Sequence, residues 1–312
     1  MRFNPKARID QGQVEVRRGG GGGGFGGGTG GGGGRLPIPT GGKGGLGIGG
    51  IILVVLVYVA IQFLGGGGGG GGTGSSGATG EQTTNECRTG EDANSSDACA
   101  IDLFTTSVQD FWDRAYPDQT GEAYQQIKTV RFEGSTQSGC GQASSEMGPF
   151  YCPNDQLVYL DTTFFDDMLR GRLGAQGGPF AIGYVIAHEY GHHVEDLQGD
   201  LGRIRTQQGA DSDAVRVELK ADCLAGMWAR SATRTRDQDG QTIISDLTQD
   251  DIERAIDAAE AVGDDRIQQR SSGRVDTDSF THGSAAQRVK WFNIGLEQGS
   301  LEACDTFSAG RL

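Results

Sequence analysis

Pro179-Phe180-Ala181-Ile182-Gly183-Tyr184-Val185-Ile186-Ala187-His188-Glu189-Tyr190-Gly191-His192-His193 is the stretch from which the rest of the chain can be read. Ile182, Val185 and Ile186 recur at helical spacing, and Gly177-Gly178-Pro179 ahead of them supplies a breaker and a favourable helix start. On that helix His188 and His192 stand four apart, on one face and about 6 Å apart along the axis. Two imidazoles so placed can share a zinc ion. Zinc accepts neutral nitrogen at about 2.0 to 2.1 Å, and a catalytic site uses three protein ligands and keeps a fourth position for water. Glu189, beside the first ligand, can act as general base on that water. Three of the four histidines fall in this one helix. His193 points about 100° away from His192 around the helix and reads as an orienting or structural residue.

A third ligand is expected downstream, on a second helix running roughly from Asp213 to Ala232. There Glu218 and Asp222 again stand four apart, among the apolar residues Val215, Val217, Leu219, Ala221, Leu224 and Met227. Glu218 is the candidate metal ligand. Asp222 is placed to accept from the non-ligating nitrogen of His188 or His192, which fixes its tautomer. A scheme with a third histidine needs Gly at 195 and His at 198, but Glu195 and Gln198 stand there. His282, just ahead of a capped helix, is the candidate catalytic group for stabilising negative charge on the substrate oxygen. Arg288 is expected to hold that loop by pairing with a carboxylate.

Outward from these helices the chain divides by composition. Of its 312 residues 56 are glycine, concentrated in tracts at 19–34 and 65–72 that read as flexible spacers. Between them, residues 46–64 are almost wholly apolar and long enough for one transmembrane helix. Before that segment Arg2, Lys6, Arg8, Arg17, Arg18, Arg35 and Lys43 outweigh Asp10 and Glu15, which favours a cytoplasmic N-terminus. The whole chain carries −14, so the remainder is strongly acidic; it is expected outside the cytoplasm and does not suit nucleic acid. All six cysteines lie in that remainder, in an even number that fits an oxidising compartment. Cys87 with Cys99, Cys140 with Cys152 and Cys223 with Cys304 is one pairing among 15 that six cysteines permit.

The expected organisation is a basic, glycine-rich tail (1–45), the transmembrane helix (46–64), a linker (65–84) and one domain (85–312). The domain reads as α+β, mostly helical with a small sheet. Phe104, Val108, Phe111, Trp112 and Ala115 predict a helix ending near Tyr116-Pro117, and 129–132 and 156–161 predict strands. Thr248 with Asp251, and Ser284 with Gln287, are capping signals for two later helices.

The runs His188-Glu189-Tyr190-Gly191-His192-His193 and Glu218-Leu219-Lys220-Ala221-Asp222-Cys223-Leu224-Ala225-Gly226 together resemble the bacterial neutral zinc metallopeptidase family. Gly148-Pro149-Phe150-Tyr151-Cys152-Pro153, Tyr159-Leu160-Asp161, Thr281-His282-Gly283-Ser284 and Gln287-Arg288 fit the same pattern. The resemblance implies a zincin-like fold, one zinc ion held by two His and one Glu, and a single membrane anchor after a short basic tail. The expected activity is hydrolysis of extracytoplasmic peptides or proteins. The alternative is a membrane-tethered binding or scaffolding protein with a structural or vestigial zinc site.

Overall fold

The long apolar-faced helices and the short β-rich runs assemble into an α+β domain in a computed structural model, which describes residues 1–17 and 86–312. In chain order the elements are β1 (Arg2–Phe3), β2 (Val14–Arg17), α1 (Gly90–Ser95), α2 (Asp97–Thr120), β3 (Lys128–Phe132), β4 (Ser135–Ser138), β5 (Gly141–Ser144), β6 (Phe150–Cys152) and β7 (Leu157–Asp161). A π-helical turn (Phe164–Arg172) follows, then α3 (Pro179–Leu197), α4 (Asp213–Ser231), β8 (Ile244–Asp246), α5 (Gln249–Ala261), α6 (Asp264–Ser272) and α7 (Ala285–Gln298). The main sheet has the order β2-β3-β7-β6, with β2, β3 and β7 parallel and the outer β6 antiparallel to β7. Val130, Phe132 and Tyr159 pack on one of its faces, and Val158 and Leu160 join the main core on the other, the alternation a pleated strand imposes.

That core is built on aromatic contacts among the helices. Phe180 of α3 stacks on Trp228 of α4 with ring centres 5.2 Å apart, and Phe104 of α2 meets Trp228 edge-on at 5.9 Å. Capping boxes form at Thr248 with Asp251 and at Ser284 with Gln287, as their spacing predicts. The α2 helix runs past Pro117 to Thr120 instead of ending at it. Proline within the last turn forfeits one backbone bond, and the helix is then closed by Gly121 at φ 75°, whose N–H donates to the Pro117 carbonyl. The three disulfides are Cys87–Cys99, Cys140–Cys152 and Cys223–Cys304.

The N-terminal segment overturns the single-span topology. Residues 1–17, expected in a separate tail, belong to the domain: β1 pairs with β8, and β2 adds to the main sheet beside β3. Phe3 is 1% exposed and lies edge-on to Phe104 at 4.8 Å, while the Asn94 side chain bonds both the N–H and the carbonyl of Phe3. One crossing between residues 17 and 86 would put these partners on opposite sides of a bilayer. A cytoplasmic N-terminus with an extracytoplasmic domain is therefore incompatible with the fold. Among the described residues no helix is long and apolar enough to cross a membrane. The apolar segment 46–64 and both glycine tracts lie outside the described residues. The fold class is thus corrected to an α+β domain with a small sheet to which residues 1–17 belong, and the single-pass membrane localisation falls with it.

Phe3→Ala checks this directly. Deleting a fully buried phenyl ring costs about 3 to 5 kcal/mol, so the variant should unfold at markedly lower denaturant concentration. Unchanged stability would detach residues 1–17 from the core.

Candidate metal centre

Two close helix contacts build the site. Gly191 faces α4 so closely that a Cβ there would stand 2.9 Å from the Ala221 Cα, and this lets α3 and α4 approach at the level of the histidines. On the far side of α4, Gly226 and Gly295 pack against the backbone of α7 and α4 respectively, leaving no room for a side chain and fixing α7 against α4. The faces of α3 and α4 that meet at Gly191 carry His188, His192, Glu218 and Asp222.

His188 Nε2 lies 3.3 Å from one Glu218 oxygen and His192 Nε2 3.7 Å from the other. One donor atom from each of the three side chains falls within 4.8 Å of the other two. Donors bonded to zinc at about 2.05 Å with tetrahedral angles stand about 3.3 Å apart, so this donor set fits the metal. The structure thus brings together His188, His192 and Glu218, the three residues expected from sequence to hold the metal. His193 is turned elsewhere: its Nε2 donates to the Gln125 carbonyl at 2.7 Å, and its Nδ1 lies 3.2 Å from the Tyr151 hydroxyl.

Each histidine is oriented through its other nitrogen. His188 Nδ1 donates to Asp222 Oδ1 at 3.0 Å, which leaves Nε2 as the ligating atom. Asp222 is fully buried and also accepts from the Tyr184 hydroxyl at 2.6 Å and from Arg288 Nε at 2.8 Å and Nη2 at 3.0 Å. Arg288 thus holds Asp222, not the His282 loop assigned to it from sequence. His192 Nδ1 donates to Glu195 Oε2 at 2.8 Å. Sequence reasoning used Glu195 only to exclude a third histidine. Its place three residues beyond His192 on the same helix was the available signal.

Burial and charge act against each other here. Burial would raise the Asp222 carboxyl, but Arg288 and His188 hold it below the usual carboxylate range. Glu218 is likewise held well down, against burial, by His282, His188 and His192. Burial would lower the His188 imidazole, yet Asp222 and Glu218 raise it to about 10. For His192 burial prevails over Glu218 and the imidazole is lowered. Glu195 is raised by burial, with the Lys220 ammonium opposing.

Glu189 is 7% exposed and the His282 side chain 17%; both line a cavity together with the three converging residues. Asp264, at the start of α6, fixes the His282 loop. One of its oxygens accepts from the backbone N–H groups of Thr281, His282 and Gly283 at 2.6, 2.7 and 3.1 Å, and the other lies 3.3 Å from His282 Nδ1. No sequence spacing links Asp264 to His282 across 18 residues, so this support was not found from sequence.

Glu195→Ala should lower zinc affinity about 10- to 100-fold by freeing the His192 ring, as read by competition with a zinc-binding dye. Unaltered affinity would mean that Glu195 does not orient the ligand.

Comparison with known proteins agrees with this geometry. The family model described as "Putative neutral zinc metallopeptidase" matches residues 1–307. The uncharacterized protein Mb2605 of Mycobacterium bovis is 47% identical over 230 residues, covering 73% of this chain and 76% of its own length. The uncharacterized protein YpfJ of Escherichia coli K12 is 46% identical over 211 residues, covering 66% and 69% respectively. No solved structure matches the chain. A family match that takes in the N-terminal strands as well as the metal helices shows that the chain belongs to the neutral zinc metallopeptidase family.

Proposed function

We propose that the chain hydrolyses peptide bonds in peptides or proteins at a zinc centre held by His188, His192 and Glu218. The observation that carries this reading is the convergence of those three side chains in the wall of a cavity that also holds Glu189 and His282. Zinc, when bound, supplies Lewis acidity that polarises the scissile carbonyl and lowers the pKa of a water toward about 7. Glu189 takes a proton from the attacking water and delivers it to the leaving amine. His282, its Nδ1 directed at Asp264, presents its remaining nitrogen to the substrate oxygen as negative charge develops there. Burial would lower this imidazole, but Glu218 and Asp264 raise it. Asp222 and Glu195 keep the two ligating rings in place. The outer strand β6 supports an extended substrate, because Phe150 and Tyr151 on it line the same cavity and a peptide can add along a strand edge.

A scaffolding role with structural zinc calls for a fourth protein ligand. Among the described residues the candidate cluster comprises three, and His193 is engaged with Gln125. The deciding experiment incubates the zinc-loaded full chain with a diverse peptide library and reads new termini by mass spectrometry. New termini that disappear on chelation support the proposal. An intact library beside cleavage of an ester or non-peptide amide would replace it with another hydrolase activity.

A further inference from the structure

The geometry points to Tyr151, held by His193 and Asp196, as the residue that positions an extended substrate on β6 relative to the metal. The word substrate here rests on the peptidase reading; the contact itself rests on its atoms. Two faces of α3 are occupied differently. His188 and His192 lie on one and converge with Glu218. Tyr190 and His193 serve the sheet. The Tyr190 hydroxyl meets the Thr129 hydroxyl of β3 at 3.0 Å, and His193 Nε2 donates to the Gln125 carbonyl just ahead of β3 at 2.7 Å. With the proton on Nε2, His193 presents the lone pair of Nδ1 to the Tyr151 hydroxyl 3.2 Å away. That hydroxyl donates to Asp196 Oδ2 at 2.8 Å. Two acceptors on α3 thus face one hydroxyl of β6.

Tyr151 belongs to both the cleft and the helix contact. It lines the cavity that holds Glu189 and His282, and its ring packs against that of His193, which is 0% exposed, with centres 5.5 Å apart. Among the described residues its strand is the last of the main sheet, three residues long and bonded to β7 along one edge. A peptide adding along the other edge takes its distance from the metal from the place where β6 stands. So short a strand has few bonds to fix it, and apolar contacts with α3 alone would let it slide. Buried hydrogen bonds are directional and hold one arrangement. A displacement of about 1 Å at the reacting atoms can cost about 10²-fold in rate, so this contact bears on catalysis without touching the chemistry. Tyr151, His193 and Asp196 are accordingly positioning residues.

The test compares acetohydroxamate with N-acetyl-trialanine hydroxamate, both of which chelate zinc and neither of which carries a large side chain. Affinities for the zinc-loaded full chain are measured by calorimetry. In the wild type the tripeptide compound should bind about 10- to 100-fold more tightly, as about two backbone hydrogen bonds along β6 contribute. Tyr151→Phe deletes one hydroxyl and keeps the ring, and His193→Phe removes both nitrogens from the contact. Each should reduce that gain to about 3-fold or less while leaving zinc content and acetohydroxamate affinity at their wild-type values. Tyr151→Phe decides alone if the second variant does not fold. A general loosening of α3 would lower zinc content and the affinity of both compounds together, and that result would overturn the proposal. So would a wild type that gains nothing from the tripeptide, or a gain that Tyr151→Phe leaves intact. A gain lost in the variants beside an uncut peptide library would keep the positioning role and reject the peptidase reading. Peptide cleavage beside a gain that neither variant alters would do the reverse.

Discussion

Glu189→Gln should bind zinc as the wild type does and lose peptide hydrolysis by about 10²- to 10⁴-fold, the usual contribution of a positioned general base. The substitution keeps the length and shape of the side chain and removes only its capacity to take a proton. Glu189 is not among the three residues whose donor atoms converge, so metal content should not change. A loss of kcat with KM nearly constant, at equal zinc content, would place the defect in the chemical step. Hydrolysis at the wild-type rate would remove Glu189 from the role assigned to it. A parallel loss of zinc would instead make it a ligand or a structural support.

Glu218→Ala should cost more in metal binding than any orienting residue. Structural zinc sites bind with about 10 to 16 kcal/mol in total, so the loss of one donor should weaken affinity by well over 100-fold. The side chain is also the carboxylate facing His188, His192 and His282 from α4, and its removal leaves those imidazoles with less opposing charge. Folding should suffer less than metal binding, because α4 is held mainly by Trp228, Leu224 and its contacts with α7. Competition with a chelating dye, alongside thermal unfolding of the metal-free protein, separates the two effects. Unchanged zinc affinity would show that another residue supplies the third donor.

The parts of this molecule that could be read from sequence are those specified by local spacing. His188 and His192, and Glu218 and Asp222, occupy single helix faces because four residues nearly complete a turn, and the fold brings those faces together. The capping boxes at Thr248 and Ser284 and the strand β7 are local in the same sense. What escaped was set by contacts between distant segments. Asp264 supports His282 through a turn that tertiary packing defines, and Arg288 reaches Asp222 across the contact between α7 and α4. Residues 1–17 were the largest miss. Their charge and the glycine tract after them suggested a tail, whereas Phe3, Ala7 and Ile9 are buried in the main core. Three apolar residues spread over seven positions carry little periodic signal, and β2 finds its place only once β3 offers a parallel edge.

Zinc titration of the metal-free full chain, with cleavage of a susceptible peptide followed at each addition, shows whether hydrolysis depends on one bound zinc ion. Negligible cleavage without metal, a linear rise and a plateau at one zinc per chain are the expected result. Cleavage in the absence of metal, or a fully loaded chain that cuts no peptide, would contradict it.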